Sequence, residues 1–362
     1  MRIALVCPYD WSAPGGVQVH VGELGEWLRA RDHDVLVLAP SSRPIDDGRV
    51  VVCGVPLAIA YNGSTAPIDP RPWRIGEIRA ALRRFDPDVV HAHEPLVPNT
   101  SMWAVLCSPA PVVATFHSGA DRSWLFDAAA PVLRLVARRI DARVAVSERA
   151  ASFVRARVPG DYRIVPNGID GTAFAAAPAA DLGPGRKMLF VGRLHARKGF
   201  SVAVDAFAAL APAYADLRLI VVGAGAQASA LDRLSADLRE RVTMLGAVAN
   251  RELPSIERAC DVFVGPSLGG ESFGVVLLEP MAAGLPVVAS RIPGYDEVVE
   301  DGSTGLLVPP GDGRALAAGV AGLLDDPSLT ARLAAAARER VASRYEWDVV
   351  AGELEDVYRS VL

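Results

Sequence analysis

Two carboxylates, Glu271 and Glu279, stand eight positions apart in the stretch GGESFGVVLLEPMAAGLPVV. Glycines lead the first, apolar residues fill the interval, and a small-residue turn closes the segment. A glycine-led loop that opens a helix presents unpaired N–H groups and the positive end of a dipole, which suits phosphate oxygens. The pattern predicts a helix from Ser272, with Glu279 about two turns in and roughly 10–12 Å along the axis from Glu271. The carboxylates of a glycosidase flank one bond at about 5–10 Å, so these two fit different parts of one long ligand better. Glu271 can accept hydrogen bonds from sugar hydroxyls, and Glu279 from a ribose diol. A nucleotide-sugar has that shape. The plain alternative for Glu279 is a buried acid paired with backbone or an arginine.

Cations to match are found in VGRLHARKGF, where Arg193 and Lys198 follow an apolar run. Lys187 and Lys198 are the chain's two lysines. A lysine kept in so arginine-rich a sequence suggests a compact point charge rather than a planar fork. Two cations opposite a glycine-rich helix start can hold a pyrophosphate, which is both substrate part and leaving group. A second such loop, PGGVQVHVGEL, places Gly15 and Gly16 where backbone can approach a ligand. VGAGAQ (Val222–Gln227) lacks a full dinucleotide fingerprint and reads as a turn. His117 closes the run VVATFHS and could donate to a hydroxyl or to the reacting oxygen. His91 and His93 in HAHEP alternate as metal ligands can, but no further ligands are expected to cluster nearby, and no metal is assigned.

The elements that must position these residues are short runs, apolar throughout, separated by helical stretches. Six lie in the first half: Ile3–Cys7, Val35–Ala39, Val89–His91, Val112–Thr115, Val144–Val146 and Ile164–Val165. Six more are Met188–Val191, Leu217–Val222, Val242–Leu245, Val262–Val264, Val287–Ala289 and Gly305–Val308. Such runs suit strands covered on both faces, and the strand–helix alternation suits right-handed parallel sheets. The fold expected is α/β, two Rossmann-like doubly wound parallel-sheet domains facing across a cleft. The break falls within Val165–Gly185, giving residues 1–168 and 169–345, with a last helix over 346–362 crossing back onto the first domain.

At 362 residues the chain exceeds one ordinary core. Its net charge of −5 gives no basic field for nucleic acid. The first 178 residues hold 19 basic and 18 acidic residues, the remainder 18 and 24, so an anionic partner would favour the first half. The four cysteines are scattered, which fits a reducing compartment and no structural zinc. The start reads as too short for a signal peptide, and no apolar run is long enough to span a membrane.

The set GGVQ, HAHEP, FHS, VPNGID, VGRL with RKG, and GESFGVVLLE resembles the retaining GT-B glycosyltransferases with an E-x7-E motif, over essentially the whole chain and in the expected order. CPYD…PGGVQVHV, YNGS (Tyr61–Ser64) and LGGESFG are most similar to the phosphatidylinositol mannosyltransferases. The resemblance implies a nucleotide-sugar donor, with GDP-mannose favoured, and an inositol-containing lipid acceptor. It places Gly15 and Gly16 at the donor diphosphate and acceptor, Arg193 and Lys198 on the diphosphate, and Glu271 with the backbone of Ser272, Phe273, Gly274 and Val275 on sugar and phosphates. Glu279 would hold the ribose, the loop at Val248 the base, and His117 the charge developing at the reacting sugar. Tyr9, Gln18, Asn62 and Ser64 would line the acceptor pocket. No carboxylate stands out as a nucleophile, so retention implies front-side attack. No cofactor is implied; Mg²⁺ is admitted but not demanded, as no DxD-type site ends a strand.

The family's lipid-using members carry a basic amphipathic stretch after YNGS. Here, over Thr65–Asp88, Arg71, Arg74, Arg79, Arg83, Arg84 and Trp73 are diluted by Asp69, Glu77, Asp86 and Asp88. The expected contact with an anionic membrane is weak and salt-sensitive. WLFDAAAPVLRLVARR (Trp124–Arg139) is a second candidate contact, with packing inside the fold as its alternative. The expected location is cytoplasmic, at the inner face of the membrane. The other readings are a soluble inositol-phosphate acceptor or UDP-sugar donor, a nucleotide-sugar epimerase, and a nucleotide-binding module without chemistry.

Overall fold

The computed structural model describes residues 1–13, 15–61, 64–119 and 124–362. They form two units, Met1–Gly168 with Trp347–Leu362, and Ile169–Glu346. In chain order the first unit contains β1 (Arg2–Val6), β2 (Asp34–Ala39), β3 (Val50–Val52), β4 (Leu57–Tyr61), β5 (Ser64–Ile68), β6 (Val89–His93), β7 (Val112–Phe116), β8 (Ala142–Ala145) and β9 (Arg163–Ile164). Seven of these form one parallel sheet in the order β3-β2-β1-β6-β7-β8-β9. β4 and β5 form a separate antiparallel pair. The second unit contains β10 (Lys187–Val191), β11 (Arg218–Val222), β12 (Val242–Gly246), β13 (Val262–Gly265), β14 (Val287–Ser290) and β15 (Leu306–Val308). Its parallel sheet runs β12-β11-β10-β13-β14-β15.

Strand order reverses between β1 and β6 in one sheet and between β10 and β13 in the other. At such a switch point the connections leave on opposite faces, and a crevice opens beyond the carboxyl ends of the strands. Two pairs of loops are therefore set up to meet: those after β1 and β6, and those after β10 and β13.

The apolar runs became strands because both faces are covered. Every residue of β6, β7, β13 and β14 is buried. The final helix, Trp347–Val361, places Trp347, Val350, Leu354, Val357 and Tyr358 in the core of the first unit, against Leu5, Val21 and Leu24. β3 and the hairpin are additions to the expected strands. β3 is three residues long and partly exposed at the sheet edge, and the hairpin carries the half-exposed Leu57 and lies outside the main sheet.

One helix start differs from the expectation. The helix after β13 is Val275–Ala283, not one beginning at Ser272. Gly274 holds φ at 105°, a left-handed value that a continuing helix cannot use, and a Cβ there would lie 2.8 Å from the Tyr295 ring. Glu279 is thus about one turn into the helix rather than two.

Candidate active site

In the second unit the loops after β10 and β13 are pressed together. Gly199 has φ 69°, and a Cβ on it would stand 1.9 Å from the Pro266 carbonyl oxygen, so only glycine lets the two loops approach. The Leu268 N–H donates to the Arg197 carbonyl at 2.8 Å. This contact brings Lys198 Nζ to 2.9 Å from Glu271 Oε1, with Arg197 Nη1 4.0 Å from the same oxygen. Arg197 also donates to the Gly270 carbonyl.

Glu271 is 9% exposed. Burial alone would raise its pKa, but the Lys198 charge and hydrogen bond, the Arg197 charge and the Ser267 hydroxyl together hold it below the ordinary glutamate value. Ser267 Oγ donates to Glu271 Oε1 at 3.0 Å, and Tyr295 Oη donates to Ser267 Oγ at 3.2 Å. Burial, and after it the Glu271 charge, pushes the Tyr295 phenol up, so it remains a donor. The site therefore holds an ionised carboxylate and two cations beside the helix that starts at Val275. That helix is led by Gly274 and has no side-chain cap, so its dipole adds positive potential.

Glu279 sits half-buried on this helix. Behind it, Glu257 on the helix Leu253–Arg258 is fully buried, and neither of its carboxyl oxygens has a hydrogen-bond partner among the described residues. Burial first, and the Glu279 charge second, pushes Glu257 well above the usual carboxylate range.

In the first unit the loop after β1 leads into the helix Gly16–Arg29, whose N-cap Gly15 supplies no side-chain cap. A Cβ on Gly15 would fall 2.5 Å from Gln18 Oε1. Glycine there lets Gln18 fold back and donate to the Asp10 carbonyl at 3.2 Å. Tyr9 bridges to Ile68, tying this loop to the hairpin. At the ends of β6 and β7, His93 Nδ1 lies 2.9 Å from His117 Nε2. The N–H groups of His117 and Ser118 donate to the carboxyl of Glu94, which is buried and has φ 50°. Burial raises the Glu94 pKa despite these donors. His20, from the helix after β1, completes a cluster in which ring nitrogens of His20, His93 and His117 lie within 4.8 Å of one another. Burial lowers the pKa of His20 and His91 to about 3 and that of His93 and His117 well below the ordinary imidazole value, so all four are neutral at pH 7.

Two family models match the chain: "Glycosyltransferase Family 4" over residues 14–172 and "Glycosyl transferases group 1" over residues 180–340. A phosphatidyl-myo-inositol mannosyltransferase of Mycobacterium leprae is 40% identical over 100% of this chain and 97% of its own. The chain belongs to the GT-B glycosyltransferases. This glycosyltransferase is also 33% identical, over 99% of its length and 94% of the relative's, to a glycogen synthase of Mycobacterium tuberculosis. The Anabaena protein HepE, solved in complex with UDP and glucose, shares its fold at a TM-score of 0.78, with 22% identity over 99% of this chain and 100% of that one.

The structure of the glycosyltransferase brings Lys198 and Glu271 together, with Gly274 and Val275 beside them. The second cation at Glu271 is Arg197; Arg193 lies exposed earlier on the same loop. Phe273 is buried and packs edge-on against Tyr345 at 5.8 Å. Val248 is half-buried in the loop after β12. Gly15, Gly16 and Gln18 share one loop and helix start with Tyr9 nearby, and His117 joins His93. Ser64 opens β5, while Asn62 lies outside the described residues.

Sequence reasoning missed Arg197, Ser267, Tyr295, Glu257 and His20. Arg197 adjoins Lys198 in the RKG motif and could have been named. The expectation that nothing further clusters with His91 and His93 was wrong. His20 and His117 arrive from other elements, and the β6–β7 register that sets His93 opposite Thr115 is a tertiary fact.

Proposed function

We propose that this chain transfers a mannosyl group from GDP-mannose to an inositol hydroxyl of a phosphatidylinositol-type lipid, with retention at the anomeric carbon. The observation that carries the proposal is the Lys198–Glu271 pair at 2.9 Å, at the switch point of the second sheet and beside an uncapped helix start. Cations and helix amides there suit a diphosphate, and the carboxylate suits sugar hydroxyls. The mycobacterial relative's name supports the acceptor.

On this reading the second unit binds the donor. Lys198, Arg197 and Arg193 take the diphosphate charge, which grows as the sugar–oxygen bond breaks. The backbone at Ser272–Val275 holds phosphate oxygens, Glu271 fixes the sugar, Glu279 accepts from the ribose diol, and the loop at Val248 meets the base. The first unit binds the acceptor through Tyr9, Gln18, Asn62 and Ser64, with Gly15 and Gly16 at the close approach. His117 steadies the charge developing near the reacting sugar. The acceptor hydroxyl attacks on the leaving group's face. The bond from the anomeric carbon to the diphosphate oxygen breaks with its electron pair, the new glycosidic bond forms, and a diphosphate oxygen takes the hydroxyl proton.

The lipid acceptor calls for a surface that meets a membrane. Among the described residues no helix is long and apolar enough to cross one. Arg71 and Arg74 are engaged by the buried Asp69, so the basic character after the hairpin rests on the exposed Arg79, Arg83 and Arg84, with Trp73 69% exposed. The helix Trp124–Ala137 packs inward through Ala130, Leu133 and Val136 but turns Trp124, Val132 and Leu135 outward, 75%, 63% and 61% exposed. An apolar stripe ending at the exposed Arg138 and Arg139 fits the interface of an anionic bilayer, which would hold the enzyme at the cytoplasmic face.

Thermal unfolding with GDP, UDP and ADP and their sugar conjugates tests the donor, because ligand binding to the native state raises the midpoint. GDP and GDP-mannose should raise it most, and product should form only when phosphatidylinositol is supplied. A shift confined to UDP conjugates would replace the donor, as the glycogen synthase likeness allows. Full donor turnover without acceptor would replace transfer by epimerisation.

A further inference from the structure

We infer that His93 is a positioning residue whose Nδ1–H donates to His117 Nε2 and so holds His117 as a neutral imidazole protonated at Nδ1, a donor rather than a base. This rests on the proposed role of His117 at the reacting sugar.

The geometry restricts the choices. The 2.9 Å separation is that of an N–H···N bond, so one ring gives a proton and the other a lone pair. If His117 gave the proton, His93 would carry its own on Nε2, which is buried without a partner among the described residues. A buried unpaired N–H is the rarer and costlier orphan, so the proton belongs on His93 Nδ1 and the bare lone pair on His93 Nε2. His117 must then be protonated at Nδ1.

The His93 ring is held in this orientation. His91 packs against it at 4.3 Å between centroids and is itself fixed by Tyr358 Oη at 2.8 Å and Thr115 Oγ1 at 2.7 Å. His20 stands edge-on to both His93 and His117 at 5.6 and 5.2 Å, backed by Trp347 at 5.1 Å. A metal ion is the rival explanation for three clustered imidazoles. It needs ring lone pairs converging on a third point, whereas those of His93 and His117 are directed at each other across a shared proton.

A neutral donor changes what His117 can do. It can hydrogen-bond a hydroxyl or an oxygen gaining negative charge, but it cannot take the acceptor's proton through Nε2, which is already occupied. That leaves the proton to the departing diphosphate, as front-side attack requires.

Histidine-labelled protein observed by ¹⁵N NMR at neutral pH tests the tautomer directly and needs no variant. His117 and His93 should each be protonated at Nδ1 and bare at Nε2. In mannosyl transfer, His93→Leu should lower kcat by about tenfold or more with little change in the KM for GDP-mannose, and His93→Asn, which keeps an N–H near the place of Nδ1, should recover most of it. His117 protonated at Nε2, a metal ion co-purifying in stoichiometric amount with the cluster, or full kcat in His93→Leu while His117→Ala loses it would each overturn the inference. Full activity in His117→Ala would instead sink the catalytic role given to His117 above and leave the tautomer result standing.

Discussion

Acidification should unfold the first unit through its histidines. His20, His91 and His93 are buried there and His117 is half-buried, and burial holds each far below the ordinary imidazole value. In the unfolded chain each titrates at about 6.5. A depressed folded pKa contributes stability that is complete above the unfolded value and drains away as pH falls toward the folded one. At about pH 5.5 an unfolded imidazole is about nine-tenths protonated, which favours unfolding by about 1.4 kcal/mol per histidine and about 6 kcal/mol for the four. Glu94 acts in the opposite sense. Its raised pKa gives stability that is present at low pH and lost as pH rises, so about 6 kcal/mol is a ceiling. The ceiling is comparable with the whole stability of a domain, about 5–15 kcal/mol. All six tryptophans, Trp11, Trp27, Trp73, Trp103, Trp124 and Trp347, lie in the first unit. Urea unfolding followed by tryptophan fluorescence therefore reads that unit alone. Between about pH 6.5 and 5.5 the slope should correspond to an uptake of about two to three protons on unfolding, Glu94 subtracting up to about one from the histidines' three. An uptake below about one proton would show that the cluster titrates in the native state and refute its enclosure.

Gly199→Ala should destabilise the second unit by about 2 kcal/mol or more, since the position combines a left-handed φ with a backbone oxygen 1.9 Å from the added Cβ; calorimetry should show the loss in the transition that tryptophan does not report. Ser267→Ala removes one donor to Glu271 while leaving Lys198 in place, so turnover should fall about three- to tenfold, and Ser267→Thr should retain it. Trp124→Ser combined with Leu135→Ser should weaken binding to phosphatidylinositol vesicles by about tenfold or more, measured by co-sedimentation, without altering the unfolding midpoint.

Much of the fold was legible because a parallel sheet buried on both faces writes itself as unbroken apolar runs. Val112–Phe116 and Val262–Gly265 are wholly buried strands, and their runs stand out in the sequence. β3 did not stand out because an edge strand of three residues leaves so little pattern. The hairpin carried a signal that was passed over, an Asn-Gly dipeptide at 62–63 between two β-prone stretches. In the site, Lys198 and Glu271 were readable because their charges contradict apolar or glycine-rich surroundings. Ser267 and Tyr295 were not, since a serine and a tyrosine among buried residues look like ordinary packing until the chain places one hydroxyl on the other. The helix after β13 was drawn three residues too early because glycine was read as an opener, whereas Gly274 at φ 105° delays the first turn.

The most direct measurement is transfer of labelled mannose from GDP-mannose to phosphatidylinositol vesicles by the natural chain and by Glu271→Ala and Lys198→Ala, each verified as folded by circular dichroism. The natural chain should yield labelled lipid, and each variant should be slower by about tenfold or more, because the pair that holds sugar and diphosphate has lost a member. Near-normal rates in both variants, or no labelled lipid from the natural chain, would contradict the account.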